Sequence, residues 1–352
     1  MRLKIFADKS YLFGQDRYVI LLYPFWGLIP EPQGDKDTGR FDDYYNLGQK
    51  FFLMASSLSE ADVAILPFEW RSKSNIHAKL AYKLAKEVDN FGKRLIIFFN
   101  NDSDENIPIK NSIIFRTSFY RSKRKSNEFA IPGWSVDFLP RYLDNKLQIR
   151  EKRSSPIVGY CGYVDYYYRN LKSILKHAIG LTSGRKPTLG ARLRGYAVRT
   201  LLRDKRIQMN FVFRKGFSGC CDNSIRYEYV KNMVESDYAL VTRGAGNFSY
   251  RLYEVLSCGR IPVFVDTDCV LPFDHLIDWK KYCVWVDVKD IESIGDKVAE
   301  FHDSISDNDF ADLQYSIRQL YEEWMSPVGF HRNLWSCLTE NKMKCGENVK
   351  II

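Results

Sequence analysis

The chain has 352 residues, a net charge of +9, and 45% hydrophobic and 15% aromatic side chains. That much apolar material excludes disorder as the dominant state, and the length suits two domains of medium size. The N-terminus, MRLKIFADKS, lacks the charged, apolar and small-residue regions of a signal peptide, and the apolar run Tyr18 to Ile29 is broken by Pro24. A cytoplasmic protein is expected, at most peripheral to the inner face of a membrane.

The first half alternates strand-like and helix-like segments. Arg2 to Phe6, Arg17 to Tyr23, Asp62 to Pro67, Arg94 to Phe99 and Ser112 to Phe115 read as short buried strands. Asn75 to Phe91 carries Ile76, Leu80, Leu84 and Val88 at helical spacing, and strand, helix, strand in this order predicts a parallel sheet with crossover helices. Ser118 to Ser155 breaks the pattern with RSKRKSN, IPGW and a charged run, and is read as the passage between domains, with a boundary near residue 150. The basic run Arg121 to Lys125 is read as a solvated loop.

A second alternating series follows. Pro156 to Tyr160, Met209 to Phe213, Tyr238 to Val241 and Ile261 to Val265 read as strands, and Ser224 to Glu235 and Ser249 to Ser257 as helices. Between Arg169 and Lys215 lie thirteen Lys and Arg residues against the single acid Asp204, which implies an anionic partner or a solvated basic face. Within it, Arg185 to Arg206 admits two readings: a helix covering a sheet, or a surface docking on an anionic bilayer. The last fifty residues are mainly helical, with an apolar stripe of Phe310, Leu313, Ile317, Leu320, Tyr321 and Trp324. The cysteines (Cys161, Cys220, Cys221, Cys258, Cys269, Cys283, Cys337 and Cys345) all lie beyond residue 160, as expected for reduced, mostly buried thiols rather than a disulfide framework.

The most informative stretch runs from Tyr238 to Trp279, YALVTRGAGNFSYRLYEVLSCGRIPVFVDTDCVLPFDHLIDW. A buried strand ends at Val241, and Thr242, Arg243 and a loop with Gly244 and Gly246 lead to a helix near Ser249. Glycines let the backbone approach a phosphate, Arg243 supplies charge, and free amides at a helix start point outward. Arg251 and Glu254 share one helical face, where a carboxylate can accept both hydroxyls of a ribose and an arginine can bind phosphate or hold that carboxylate. An ordinary ion pair would give the same spacing. Gly259 caps the helix and Pro262 opens the next strand.

The run RGAGNFSYRLYEVLSCGRIPVFVDTDCVLPFDHLIDW resembles the C-terminal signature of the exostosin-like glycosyltransferase family, in a bacterial-type member. ADVAILPF, Asp62 to Phe68 with the residue before it, resembles the family's N-domain strand, and PIVGYCG, Pro156 to Gly162, its second-domain entry. The resemblance implies an α/β fold of GT-B architecture: two Rossmann-like lobes facing each other across a cleft, with a C-terminal helix returning to the N-lobe. The lobes would be an acceptor side in residues 1–150, a nucleotide-sugar donor side in 151–305, and returning helices in 306–352. It implies an inverting transfer from a nucleotide sugar, UDP- or GDP-linked, to a glycan or lipid-linked acceptor, in capsule, lipopolysaccharide or other surface polysaccharide synthesis.

By that resemblance Glu254 holds the donor ribose, and Arg243, Gly244, Gly246, Asn247, Ser249 and Arg251 line the phosphate side. The loop Gly159 to Asp165, with Gly162, closes over the diphosphate, and Arg214 is a further candidate for leaving-group charge. Inversion needs a base to deprotonate the acceptor hydroxyl. Glu69, directly after ILPF, is the first candidate, with Asp42, Asp43 and His77 as alternatives. No cofactor is expected. Asp266-Thr-Asp268 and Asp102-Ser-Asp104 match the short DxD pattern with which other glycosyltransferases bind a divalent ion, but the resembled family does not depend on a metal, and none is expected here. His77, His177, His275, His302 and His331 form no metal-ligand spacing, and no GxSxG or Walker sequence appears.

Two other readings stay open. The basic excess would suit a polyanion- or nucleic-acid-binding protein, although no nucleic-acid-binding motif is visible and no nucleic acid is expected as partner. A catalytically inactive exostosin-like partner subunit is the other.

Overall fold

A computed structural model describes residues 2–32, 35–71, 73–164, 189–214 and 223–340. The expectations placed on Asp165, on the basic residues from Arg169 to Lys186, on Lys215, and on Cys220, Cys221 and Cys345 fall outside those residues.

The chain forms two compact units. The first runs to Trp134 and takes in Cys269–Ile277 and the described residues from Glu322 onward; the second comprises Ser135–Asp268 and Asp278–Tyr321. In unit 1 the strands are β1 (Leu3–Phe6), β2 (Phe52–Met54), β3 (Val63–Ile65), β4 (Arg94–Phe99), β5 (Ser112–Arg116) and β6 (Glu128–Ala130). Their order is β2-β1-β3-β4-β5-β6, and every pair is parallel. Such strands are covered on both faces, which is why β3 and the centres of β4 and β5 (Leu95–Phe99 and Ile113–Phe115) read as apolar runs.

Helix α1 (Asn75–Asn90) starts where Ser74 accepts the His77 amide, and it buries His77, Ala81, Leu84 and Val88. The expected stripe began at Ile76, which is exposed. A strict four-residue spacing drifts about 40° per step around a helix of 3.6 residues per turn, so its first member leaves the buried face.

Arg17 to Tyr23 is not a strand. Ile20–Leu22 is a 3-10 turn, Tyr23–Trp26 is a short helix with Pro24 in its first turn, and one bridge, Tyr18 to Phe68, is all the ladder it makes. A short apolar run followed by Pro cannot be told from a buried helical turn by periodicity.

Unit 2 is built on β7 (Ile157–Tyr163), β8 (Gln208–Arg214), β9 (Tyr238–Val241), β10 (Ile261–Asp266) and β11 (Val284–Asp287), ordered β11-β10-β9-β7-β8 and parallel throughout. Its helices are α2 (Leu189–Leu201), α3 (Asn223–Val234), α4 (Tyr250–Ser257), α5 (Ile294–Ser304) and α6 (Asp307–Leu320), while α7 (Pro327–Thr339) belongs to unit 1.

Both boundaries differ from the expected ones for identifiable reasons. The segment before residue 150 is fastened to unit 2: Asp137 pairs with Arg318 at 2.6 Å, Phe138 packs its ring on Tyr229 at 6.3 Å, and Arg150 pairs with the buried Asp237 at 2.6 Å. The first continuous stretch of unit 1 therefore ends at Trp134 rather than near 150. Its indole N–H donates to Met325 O at 3.1 Å, and α7 sets His331 in a 3.8 Å stack on Tyr44. Helix α6 stays in unit 2, so the chain returns to unit 1 later than residue 306.

In each sheet the strand order reverses once, between β1 and β3 and between β7 and β9. Parallel α/β sheets offer a crevice at the carboxyl ends of the strands that flank such a reversal. No described helix is long and apolar enough to cross a membrane.

Candidate functional site

The reversal in unit 2 brings the end of β7 beside the loop that follows β9. From α4, Arg251 reaches back to β7: its Nη2 donates to Cys161 O at 2.5 Å, and its guanidinium lies 4.3 Å from the centre of the Tyr160 ring and 5.1 Å from that of Tyr229. Burial works against its charge, but Tyr229, Tyr160 and Glu254 around it hold its pKa above the ordinary value. The close approach explains Gly162. A Cβ there would sit 3.0 Å from Arg251 Nη2 and 2.8 Å from Tyr160 Oη, at a φ of +155°.

The loop after β9 is closed on itself. Gly244 N donates to Phe248 O at 2.7 Å, and Arg243 Nη2 donates to Ala245 O at 3.2 Å. Asn247 is fully buried, with its amide donating to Thr267 O at 3.2 Å and its carbonyl accepting from Thr267 Oγ1 at 2.6 Å. Asn247 thus ties the loop to the segment after β10. Ser249 takes the N-cap position of α4 without accepting from its amides.

Glu254 is buried, and both carboxylate oxygens are engaged. Oε1 accepts from Arg226 Nη2 at 2.9 Å, and Oε2 accepts from the Tyr229 hydroxyl at 2.5 Å. The Arg226 guanidinium rests 4.6 Å from the Phe138 ring centre and 5.1 Å from that of Tyr229. Burial alone would lower its pKa, and Glu254 together with Tyr229 and Tyr142 holds it above the ordinary value instead. Arg226 and Tyr229 escaped the motif reading. Their spacing of three on one helix was the available signal.

Arg214 ends β8 beside these groups. Its Nε approaches Cys161 Sγ at 3.4 Å, and its guanidinium is ion-paired with Glu228. Of the Asp-Thr-Asp sequence, Asp266 closes β10 and is buried, and Asp268 adopts a positive φ of 62°. Among the described residues no three His, Cys, Asp or Glu side chains gather as a metal site.

The remaining candidates lie in unit 1, Glu69 and His77 after the carboxyl end of β3 and Asp42 and Asp43 before β2. Burial pushes the Glu69 carboxyl up to about 7, against the opposing pull of Arg71, the Asn100 amide and Arg17. His77 has both ring nitrogens engaged, Nε2 with Asp16 Oδ2 at 2.8 Å and Nδ1 with the Ser74 hydroxyl at 2.6 Å. Asp42 and Asp43 are exposed in the first turn of a short helix. Of these, Glu69 is the half-buried carboxyl whose pKa is pushed up toward neutrality.

Residues 188–301 match the family model of the Exostosin GT47 domain. Exostosin-1 of Drosophila melanogaster is 38% identical over 73 residues, 21% of this chain and 10% of that protein. The Exostosin-1 homolog of Caenorhabditis elegans is 30% identical over 107 residues, 30% of this chain and 27% of that protein. The matches thus span well under half the length of either relative. Residues 188–301, within the second unit, are thus similar to the Exostosin GT47 domain, and the likeness to the curated relatives is confined to about a third of this chain or less.

Solved structures that resemble it include a glycosyltransferase from Rickettsia africae, at 9% identity and a TM-score of 0.37, covering 86% of this chain and 88% of that one. Another is the catalytic domain of starch synthase IV from Arabidopsis thaliana bound to ADP and acarbose, at 11% identity and a TM-score of 0.36, covering 90% and 80%. At such scores they decide nothing about the fold, which rests on the strand orders above.

Proposed function

We propose that the chain is an inverting glycosyltransferase that binds a nucleoside diphosphate sugar at the β7–β9 crevice of unit 2. The observation that carries this reading is Arg251, whose guanidinium is fixed at that crevice on Cys161 O and the Tyr160 ring, inside a segment matching the Exostosin GT47 domain. In this reading Arg251 and Arg243 face the diphosphate, with Arg214 as a further cation. Glu254, held by Arg226 and Tyr229, contacts the ribose.

Glu69 would take the proton from the acceptor hydroxyl as that oxygen bonds to the anomeric carbon. The bond from that carbon to the phosphate oxygen breaks, and its electron pair leaves with the nucleoside diphosphate, whose charge the arginines stabilise without an essential metal. The acceptor would be a glycan or a lipid-linked sugar of a surface polysaccharide.

Thermal stabilisation by a panel of nucleoside diphosphates and nucleotide sugars, with and without EDTA, tests the donor half of this reading. At about 100 times its dissociation constant a ligand adds roughly 2.7 kcal/mol, a readable shift. One nucleotide should stabilise the wild type, in EDTA as well, and should fail on Glu254→Ala. If no nucleotide stabilises the wild type, the transferase reading falls.

A further inference from the structure

One side chain spans the crevice between β7 and β9 that the motifs left out. Arg194 lies on α2, inside the basic stretch. Its Nη1 donates to Tyr163 O at 3.0 Å, its Nε to Thr242 Oγ1 at 3.3 Å, and its Nη2 to Arg243 O at 3.5 Å. Tyr163 ends β7, and Thr242 and Arg243 follow β9, so one guanidinium joins both walls of the crevice.

Three donors in one rigid plane fix the separation of their acceptors, which a single flexible ammonium cannot do. With the Tyr163 carbonyl turned toward Arg194, the trans peptide presents the Val164 N–H on the opposite side. The same helix also touches the loop through backbone. A Cβ on Gly190 would lie 2.4 Å from Arg243 O and 2.2 Å from Gly244 O. The β7 wall is also held by Arg251 on Cys161 O and by the Tyr160 hydroxyl, which donates to the same Tyr163 O at 2.8 Å. Arg194 is a described side chain that links this wall to the β9 loop.

We propose that Arg194 is a positioning residue that sets the spacing of the two loops and thereby the affinity for the diphosphate of the donor. The ligand half of this inference rests on the donor reading above. The loop half does not. Replacing the fork by Lys or Gln leaves α2 in place, but it frees the two loops to move independently and misplaces the groups that would meet a diphosphate. A nucleoside without phosphates needs no such spacing.

The test compares wild type with Arg194→Lys and Arg194→Gln by two measurements. Amide hydrogen exchange without ligand should quicken at least about tenfold in both 159–164 and 242–248, and no more than slightly along 189–201. Calorimetry should show nucleoside diphosphate affinity falling by about tenfold or more in both variants, a loss of about 1.4 kcal/mol, while nucleoside affinity stays within a few-fold. Should either substitution unfold the protein, Thr242→Val removes one acceptor of the fork and should quicken exchange in 242–248. Unchanged exchange in both loops, or wild-type diphosphate affinity in Arg194→Lys, overturns the proposal. If the wild type binds no nucleotide, the donor reading fails, and the exchange result alone decides the role of Arg194.

Discussion

The Glu69 carboxyl has a folded pKa of about 7, above the usual carboxylate range, because burial disfavours the charge. The linkage sign follows. The folded state holds this proton more tightly than the unfolded chain, so its contribution to stability is full at low pH and is lost as pH rises through about 7. Glu69→Gln should therefore gain thermal stability over wild type on going from pH 6 to pH 8, and should abolish transfer. A melting temperature difference that stays flat across that range would show that the carboxyl titrates normally. Wild-type turnover should rise with pH through the same interval. Position after ILPF was legible in the sequence, but the pKa was not, because it balances burial against the pulls of Arg17 and Asn100, groups far from Glu69 in the chain.

The elements most readable in advance were β4 and β9, which match their expected bounds, and α1 and α4, which lie within a residue of theirs. Strands of three residues, such as β2 and β6, carry too little periodicity to be found. At the site, the loop glycines and Arg251 were visible as a motif. Arg194 and Arg226 were not, since their importance arises from which face of α2 and α3 meets the sheet ends. Helix α2 also answers the two readings of the basic stretch in part. It buries Gly190, Ala191, Ala197, Val198 and Leu201, and turns Arg194 inward. Gly190→Ala should push α2 off the carbonyls of Arg243 and Gly244, at a cost of roughly 1–3 kcal/mol. Urea unfolding measures that cost, and a neutral result would mean the helix end shifts freely.

At the scale of the whole molecule the chain leaves unit 1 at Trp134, revisits it at Cys269–Ile277 and re-enters it for good at Glu322. The last return is secured by His331. Its Nδ1–H donates to Pro327 O at 2.7 Å, its Nε2 finds no partner among the described residues, and its ring lies between Tyr44 and Trp134. Burial drives its pKa down to about 3. Above pH 6.5 the imidazole is neutral in both states and costs nothing. Below that the unfolded chain takes up a proton that the folded one refuses. Stability should then fall by up to about 1.4 kcal/mol per pH unit toward pH 3. His331→Phe should flatten that slope in urea titrations at pH 7.5, 6 and 5, and an unaltered slope would place the titrating group elsewhere.

The late return of α7 also orders events on the ribosome. The six strands of the first sheet emerge early, yet Trp134 and Tyr44 gain their cover only when residues beyond Glu322 have been made. At about 5–20 residues per second, the nascent first unit waits on the order of ten seconds or more with an apolar face uncovered, while the second unit is synthesised. Chaperone dependence during translation, rather than stability once complete, is where this connectivity exacts its toll.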